Sequence, residues 1–205
     1  MKQIDTIETY KEAYAKSVNA PEDFWAEVAG DFFWQKKWDK VLQWDFDKPT
    51  IKWFDGAQVN LTENCLDRHL QERPNQVALI WEPNDPAEQS RSLTYKQLHA
   101  EVCRFANAML KLGVKKGDRV CIYLPMVLEG AIAMLACARI GAIHSVVFAG
   151  FSSNSIVDRV NDATCTLLIT ADAVYRGDKK VELKKIVDEA LQQTPSIKNC
   201  IVLNH

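Results

Sequence analysis

Residues 120–170 read VCIYLPMVLEGAIAMLACARIGAIHSVVFAGFSSNSIVDRVNDATCTLLIT. Val120-Cys121-Ile122-Tyr123-Leu124 is short and apolar with no polar alternate face, as a strand enclosed on both sides requires. A helix is predicted over about Val127 to Arg139, stopping before Gly141. Ile143 to Val147 is the next strand. Another helix follows Ser152-Ser153 with Ile156, Val157 and Val160 inward, and Thr166 to Thr170 is a third strand. Downstream, Leu183, Ile186, Val187, Ala190 and Leu191 mark one face of a helix over about Glu182 to Gln192, and Asn199 to Leu203 begins one more strand. Short apolar strands alternating with helices imply a parallel sheet with helices on both faces. The expected fold class is α/β, doubly wound.

Upstream, Thr94 and Gln97 form a capping box, in which hydroxyl and amide each satisfy an unpaired backbone N–H. Leu98, Val102, Phe105, Ala106, Met109 and Leu112 then line one helix face, which Gly113 ends. Val77 to Trp81 is a predicted strand, and a short helix is expected near Asn64 to Leu70. Residues 82–90, polar with two prolines, form a surface loop.

The first 60 residues have a different character, with five of the six tryptophans: Trp25, Trp34, Trp38, Trp44 and Trp53. Pro21 to Ala29 is a predicted helix, with proline and acids suited to a first turn. Phe32 to Phe54 shows no clean period and is expected to be irregular chain anchored by its large rings onto a neighbouring body. The expected organisation is a Trp-rich, mainly helical or irregular arm over 1–60, packed on a main body over 61–205 that is the first part of a larger α/β domain. The sequence stops at His205, just after an apolar strand and with no helix to cover it; a last edge strand can end this way, but the expectation is a piece of a larger domain.

Composition narrows the function. Of 205 residues, 47% are hydrophobic and 25% charged, with a net charge of -2, so no nucleic-acid or membrane partner is expected. Pro125 and Glu129 interrupt the most apolar stretch, which argues against a spanning helix. No export signal is present, and six cysteines without a CxxC pair suit free thiols in the cytoplasm or another reducing soluble compartment. The four histidines have no short metal-ligand spacing, so no metal site is expected. His144, inside a predicted strand, is expected to be a packed residue.

Ligands of open α/β sheets bind beyond the carboxyl ends of the strands. Phe148-Ala149-Gly150-Phe151-Ser152-Ser153 could stack a flat base and aim backbone N–H groups at an anion, or serve only as a tight strand-to-helix turn. The loop from Thr170 to Lys180 carries Arg176, Lys179 and Lys180, either a phosphate clamp or a solvated basic loop. GxGxxG, GxxxxGK[ST] and GxSxG are all absent. No complete catalytic constellation is found, and no catalytic residue is assigned.

Ordered strings along the chain are more specific. FWAEVA (24–29), LTENCLDRHL (61–70), VALIWE (77–82), LTYKQLHAEVCRFANAMLKLGVKKGDRV (93–120), ARIGAIHSVVFAGFSSNSIVDRVNDA (138–163) and ITAD…YRG (169–177) resemble the amino-terminal region of the acetyl-CoA synthetases, a branch of the AMP-forming acyl-CoA synthetase family. The resemblance implies part of an acetate–CoA ligase, which makes acetyl-CoA, AMP and pyrophosphate from acetate, ATP and coenzyme A through an acetyl-adenylate. A propionyl-CoA synthetase segment and a non-catalytic module binding coenzyme A or a protein are the alternatives. It implies ATP, coenzyme A and Mg2+ for the complete enzyme, and within this segment only partial coenzyme A contacts. Phe148 and Gly150 would lie at the coenzyme A nucleotide and Arg176 would hold its phosphate. Lys179 stands where the family has a second arginine, keeping the charge without the planar fork. Ala149 stands where many relatives have glycine, and its methyl group could narrow the backbone approach.

Overall fold

The computed structural model describes residues 3–205. The chain forms two compact units, the first ending at Asn64 and the second running from Cys65 to His205.

In the first unit, α1 (Ile7–Asn19) starts on a capping box between Thr6 and Thr9, and α2 (Pro21–Gly30) begins with the predicted proline. The segment expected to be irregular instead contains an antiparallel hairpin, β1 (Lys40–Asp45) with β2 (Thr50–Asp55). Its turn is held by Asp45 Oδ1, which accepts from the Asp47 and Lys48 backbone N–H groups at 3.0 and 3.2 Å. The hairpin has no cleanly buried face, with Leu42 alone fully buried, so no two-residue alternation marks it in the sequence. Trp34 and Trp38 are half-buried within this unit, while Trp25, Trp44 and Trp53 are exposed. Trp34, Trp38 and Phe54 meet with ring centroids 5.1–5.3 Å apart, and Trp34 Nε1 donates to the Ala29 carbonyl at 2.8 Å. Asn64 clamps Phe33 from both sides, accepting from its N–H and donating to its carbonyl, each at 2.8 Å. Asn64 lies in the short helix α3 (Leu61–Cys65). The single helix expected near Asn64 to Leu70 is therefore two pieces, α3 and a 3-10 turn at Asp67–His69.

The second unit opens with an antiparallel pair, β3 (Val77–Trp81) and β4 (Arg91–Thr94), followed by α4 (Tyr95–Lys111) on the predicted Thr94–Gln97 capping box. Then come β5 (Arg119–Tyr123), α5 (Leu128–Ile140), β6 (Ile143–Val146), α6 (Ser153–Ala163) and β7 (Leu167–Ala171). A small antiparallel pair, β8 (Val174–Arg176) and β9 (Lys179–Val181), precedes α7 (Leu183–Leu191) and β10 (Asn199–Leu203). Four of these strands form the main sheet in the order β10-β7-β5-β6, every pair parallel.

The chain passes from β5 outward to β6, then back beyond β5 to β7. Right-handed crossovers in opposite directions put α5 on one face and α6 on the other. Consistent with this, α5 packs on α4 and α6 packs on α7. The inner strands β5 and β7 are buried along almost their whole length, as their unbroken apolar sequences predict. Strand β6 is an edge and departs from expectation: Ile143 and Val146 are exposed, and so is His144, which was expected to be packed. No helix among the described residues is long and apolar enough to cross a membrane. All six cysteines are free, with Cys121, Cys137 and Cys165 buried; burial pushes the Cys121 and Cys137 thiols up to about 12.

One polar cluster pins α5 to the start of this unit. Arg139 donates from both terminal nitrogens to the two Asp67 oxygens at 2.9 Å each, and His99 of α4 lies 3.3 Å from the same carboxylate. The Arg139 hydrogen bonds hold the Asp67 carboxyl below its ordinary 3.8, against an opposing push from partial burial. A lowered carboxyl contributes stability that is complete above the unfolded value and is lost as pH falls through the folded one. Asp67→Asn should therefore destabilise the fold by about 1–2 kcal/mol near neutrality. In denaturant titrations that difference should hold down to about pH 5 and narrow below 3.8.

Candidate site at the carboxyl rim of the sheet

The four parallel strands bring their carboxyl ends to one rim, and there the second unit has an open cavity of about 1330 Å³. Its wall is made by residues just beyond those ends: Leu124 to Met126 after β5, Phe148 and Ala149 after β6, Val174 to Asp178 after β7, and His205 after β10. Residues of the 81–91 stretch complete it. The rim was expected from the strand pattern, and the 81–91 stretch was not.

Strand β6 ends at Val146, and the chain turns through Phe148-Ala149-Gly150-Phe151, closed by Phe151 N–H donating to the Phe148 carbonyl at 3.0 Å. Phe148 is 57% exposed, with Phe151 edge-on to it at 5.7 Å. An exposed ring at a ligand-binding edge is available for stacking. On the adjoining loop, Arg176 ends β8. The Thr170–Lys180 segment read as loop is thus partly ordered as the β8–β9 pair, too short for a two-residue alternation to show.

The two loops meet through side chains. The Arg176 guanidinium lies over the Phe148 ring at 4.9 Å from its centroid, and one terminal nitrogen donates to the Ala149 carbonyl at 2.8 Å. Gly150 makes room for this. A Cβ there would sit 2.1 Å from the Arg176 nitrogen, and its φ of +140° is one that other residues rarely adopt. Three of the four residues singled out in the sequence, Phe148, Gly150 and Arg176, are therefore in one cluster. Lys179 is exposed and outside the cavity wall, but it is the direct cross-strand partner of Arg176, so both side chains leave the same face of the β8–β9 ribbon. Two like charges directly opposite repel, and a shared anion would relieve that repulsion. Ala149 is 6% exposed, and its carbonyl is the atom that Arg176 engages.

Sequence reasoning missed two supports. Tyr123, the last residue of β5, is fully buried; its hydroxyl donates to the Phe151 carbonyl at 2.8 Å and accepts from Gly150 N–H at 3.1 Å. A tyrosine closing an otherwise apolar buried strand was the available signal, because a buried phenol needs a partner. Burial is the main cause raising its pKa, so the hydroxyl keeps its proton and can donate. Asp172 is the other, accepting from the backbone N–H groups of Ala173 at 2.8 Å and His205 at 2.9 Å. Those bonds, His205 first, hold its carboxyl below the usual range.

Comparisons with known proteins place the chain in a family. The "AMP-binding enzyme" family matches residues 66–205. The chain belongs to that family. The "Acetyl-coenzyme A synthetase N-terminus" family matches residues 10–65 ahead of it. Among curated relatives, the acetyl-coenzyme A synthetase of Bdellovibrio bacteriovorus is 53% identical over 197 residues, 96% of this chain and 30% of that protein. That of Alkalilimnicola ehrlichii is 53% identical over 199 residues, 97% and 31% respectively. A solved acetoacetyl-CoA synthetase from Streptomyces lividans superposes with a TM-score of 0.86 at 28% identity, covering 93% of this chain and 29% of its own. The chain thus spans about 30% of the length of the curated relatives it matches.

Within this AMP-binding fold, Gly150→Ala should force Arg176 off the ring, because the guanidinium is the freer of the two clashing groups. Strain at the positive φ should cost about 1–3 kcal/mol. A denaturant titration would measure the loss, and a crystal structure of the variant should show Arg176 displaced from the Ala149 carbonyl.

Proposed function

We propose that this chain supplies part of the coenzyme A nucleotide site of an AMP-forming acetate–CoA ligase, and that Phe148, Gly150, Arg176 and Lys179 carry it. The observation supporting this most directly is the Arg176 guanidinium stacked on the exposed Phe148 ring at the carboxyl rim. Phe148 offers a face to a purine. Arg176 uses one terminal nitrogen on Ala149, leaving further N–H donors for a phosphate. Lys179 adds a point charge on the same ribbon face. Gly150 keeps the backbone low enough for both loops to close together.

The reaction proposed for the whole protein has two steps. An acetate oxygen attacks the α-phosphorus of ATP and pyrophosphate leaves; the coenzyme A sulfur then attacks the acyl carbon and AMP leaves. This chain's part is to hold the nucleotide end of coenzyme A, fixing one end of the second nucleophile and reducing the entropy lost on reaction. No residue of the chain is assigned to the adenylation step. Among the described residues no group of three or more His, Cys, Asp or Glu is placed to hold a metal ion. The division into a 1–60 arm and a 61–205 first part of the adenylate-forming domain belongs to the same proposal. So do small molecules as the only ligands, with neither nucleic acid nor membrane as partner. A reducing compartment is supported by the free thiols.

Calorimetric titration of the chain with coenzyme A should give saturable binding that weakens with added salt. Arg176→Ala should weaken it at least about tenfold and Lys179→Ala about threefold, following the stronger planar contact of arginine. Equal affinity in wild type and Arg176→Ala would sink the reading. The chain by itself should show no acetate-dependent exchange between ATP and pyrophosphate, as measured with labelled pyrophosphate.

A further inference from the structure

Tyr123 sits one layer beneath the proposed nucleotide site, at the last position of β5. It has no solvent-accessible surface, so its hydroxyl cannot be serving water or a ligand directly. Instead it is bonded twice to the turn above it. It accepts from the N–H of Gly150 at 3.1 Å and donates to the carbonyl of Phe151 at 2.8 Å. Those are consecutive residues of the turn whose Phe148 ring carries the Arg176 guanidinium and whose Ala149 carbonyl accepts from it.

The direction of the Ala149 carbonyl depends on the peptide plane joining Ala149 to Gly150. That plane contains both the carbonyl oxygen facing Arg176 and the N–H facing Tyr123, because a peptide unit is rigid and planar. A trans peptide points its C=O and N–H in opposite directions, so fixing the N–H downward on the phenol fixes the C=O upward on the guanidinium. Gly150, at φ +140°, gives this plane little steric restraint on its following side. The hydroxyl supplies the restraint that a side chain would otherwise give.

We infer that Tyr123 is a positioning residue for the nucleotide clamp: its buried hydroxyl sets the Ala149–Gly150 peptide plane, and through that plane the place of Arg176 on Phe148. The inference rests on the coenzyme A reading for its functional consequence and on geometry alone for its mechanism. Tyr123 touches no ligand and takes no part in bond making. Its effect is preorganisation, so that a phosphate meets a guanidinium already in place instead of ordering one on arrival.

The test is Tyr123→Phe, which removes one oxygen and keeps the ring that fills the core. In the ligand-free chain, nuclear magnetic resonance reads two signals. Wild type should show a Gly150 amide protected from exchange although it lies in a loop, and Arg176 side-chain protons shifted upfield by the Phe148 ring. The variant should lose both while the Ile122 and Leu168 amides of the sheet keep their protection, which a general loss of stability would not permit. Coenzyme A affinity should then fall about fivefold to tenfold, the range expected from one or two buried hydrogen bonds. A wild-type Gly150 amide that exchanges freely overturns the inference even if the variant fails to fold. Unchanged Gly150 exchange and Arg176 shifts in a folded variant overturn it too. Altered shifts with unchanged coenzyme A affinity, where Arg176→Ala still loses binding, reject the coupling of Tyr123 to the ligand. If wild type binds no coenzyme A, the nucleotide reading falls, and the ligand-free signals still decide whether Tyr123 sets the clamp.

Discussion

Residues 120–123 of β5 and 167–171 of β7 are buried from end to end, and the two strands run parallel in the middle of the sheet. A parallel strand pair cannot be joined by a tight turn. Each connection must leave the sheet, cross a face as a helix and return. Strands enclosed on both faces therefore force every outgoing loop to one rim and every incoming loop to the other. The cavity wall after β5, β6, β7 and β10 follows from that constraint, as does the meeting of residues 28 positions apart, Phe148 and Arg176.

The rim is polar chemistry set on an apolar base, and the junction is managed by few atoms. Tyr123 carries a hydroxyl to the top of β5 without opening the core, because both of its hydrogen bonds are to backbone groups of the next layer. Asp172 does similar work at the end of β7, with its carboxylate between the N–H groups of Ala173 and His205. Arg176 then closes the two loops from above. Tyr123 in particular satisfies backbone groups that would otherwise be left unpaired near the core, where an unmet donor or acceptor is costly.

The first unit is organised differently. Its cohesion comes from ring-on-ring contacts among Trp34, Trp38 and Phe54 and from the Asn64 clamp on Phe33, rather than from a periodic apolar face. That is why its hairpin escaped the sequence reading. Hydrophobic periodicity reports a strand only when one face is buried, and β1 and β2 bury Leu42 fully and little else. The same limit explains β8 and β9, three residues each. By contrast, the Thr94–Gln97 capping box, the Pro21 helix start and the Asn199–Leu203 strand were legible because each depends on neighbours in sequence.

For the candidate site, residue types alone indicated a ring, a glycine and cations on loops after two strands. They could not say that the loops touch, since that depends on β7 lying beside β5, two crossovers away. His144 shows the converse: its strand was read correctly, but only the sheet order made that strand an exposed edge. The amino-acid sequence by itself determined the alternation of enclosed strands and helices, the helix caps, and the family to which the chain belongs, because these are carried by local pattern and ordered strings. Tertiary structure alone decided which loops share the rim, that Gly150 leaves space for Arg176, and that a phenol buried in β5 orients the peptide above it. Those facts are distances between residues far apart in the chain, and only the packed sheet sets them.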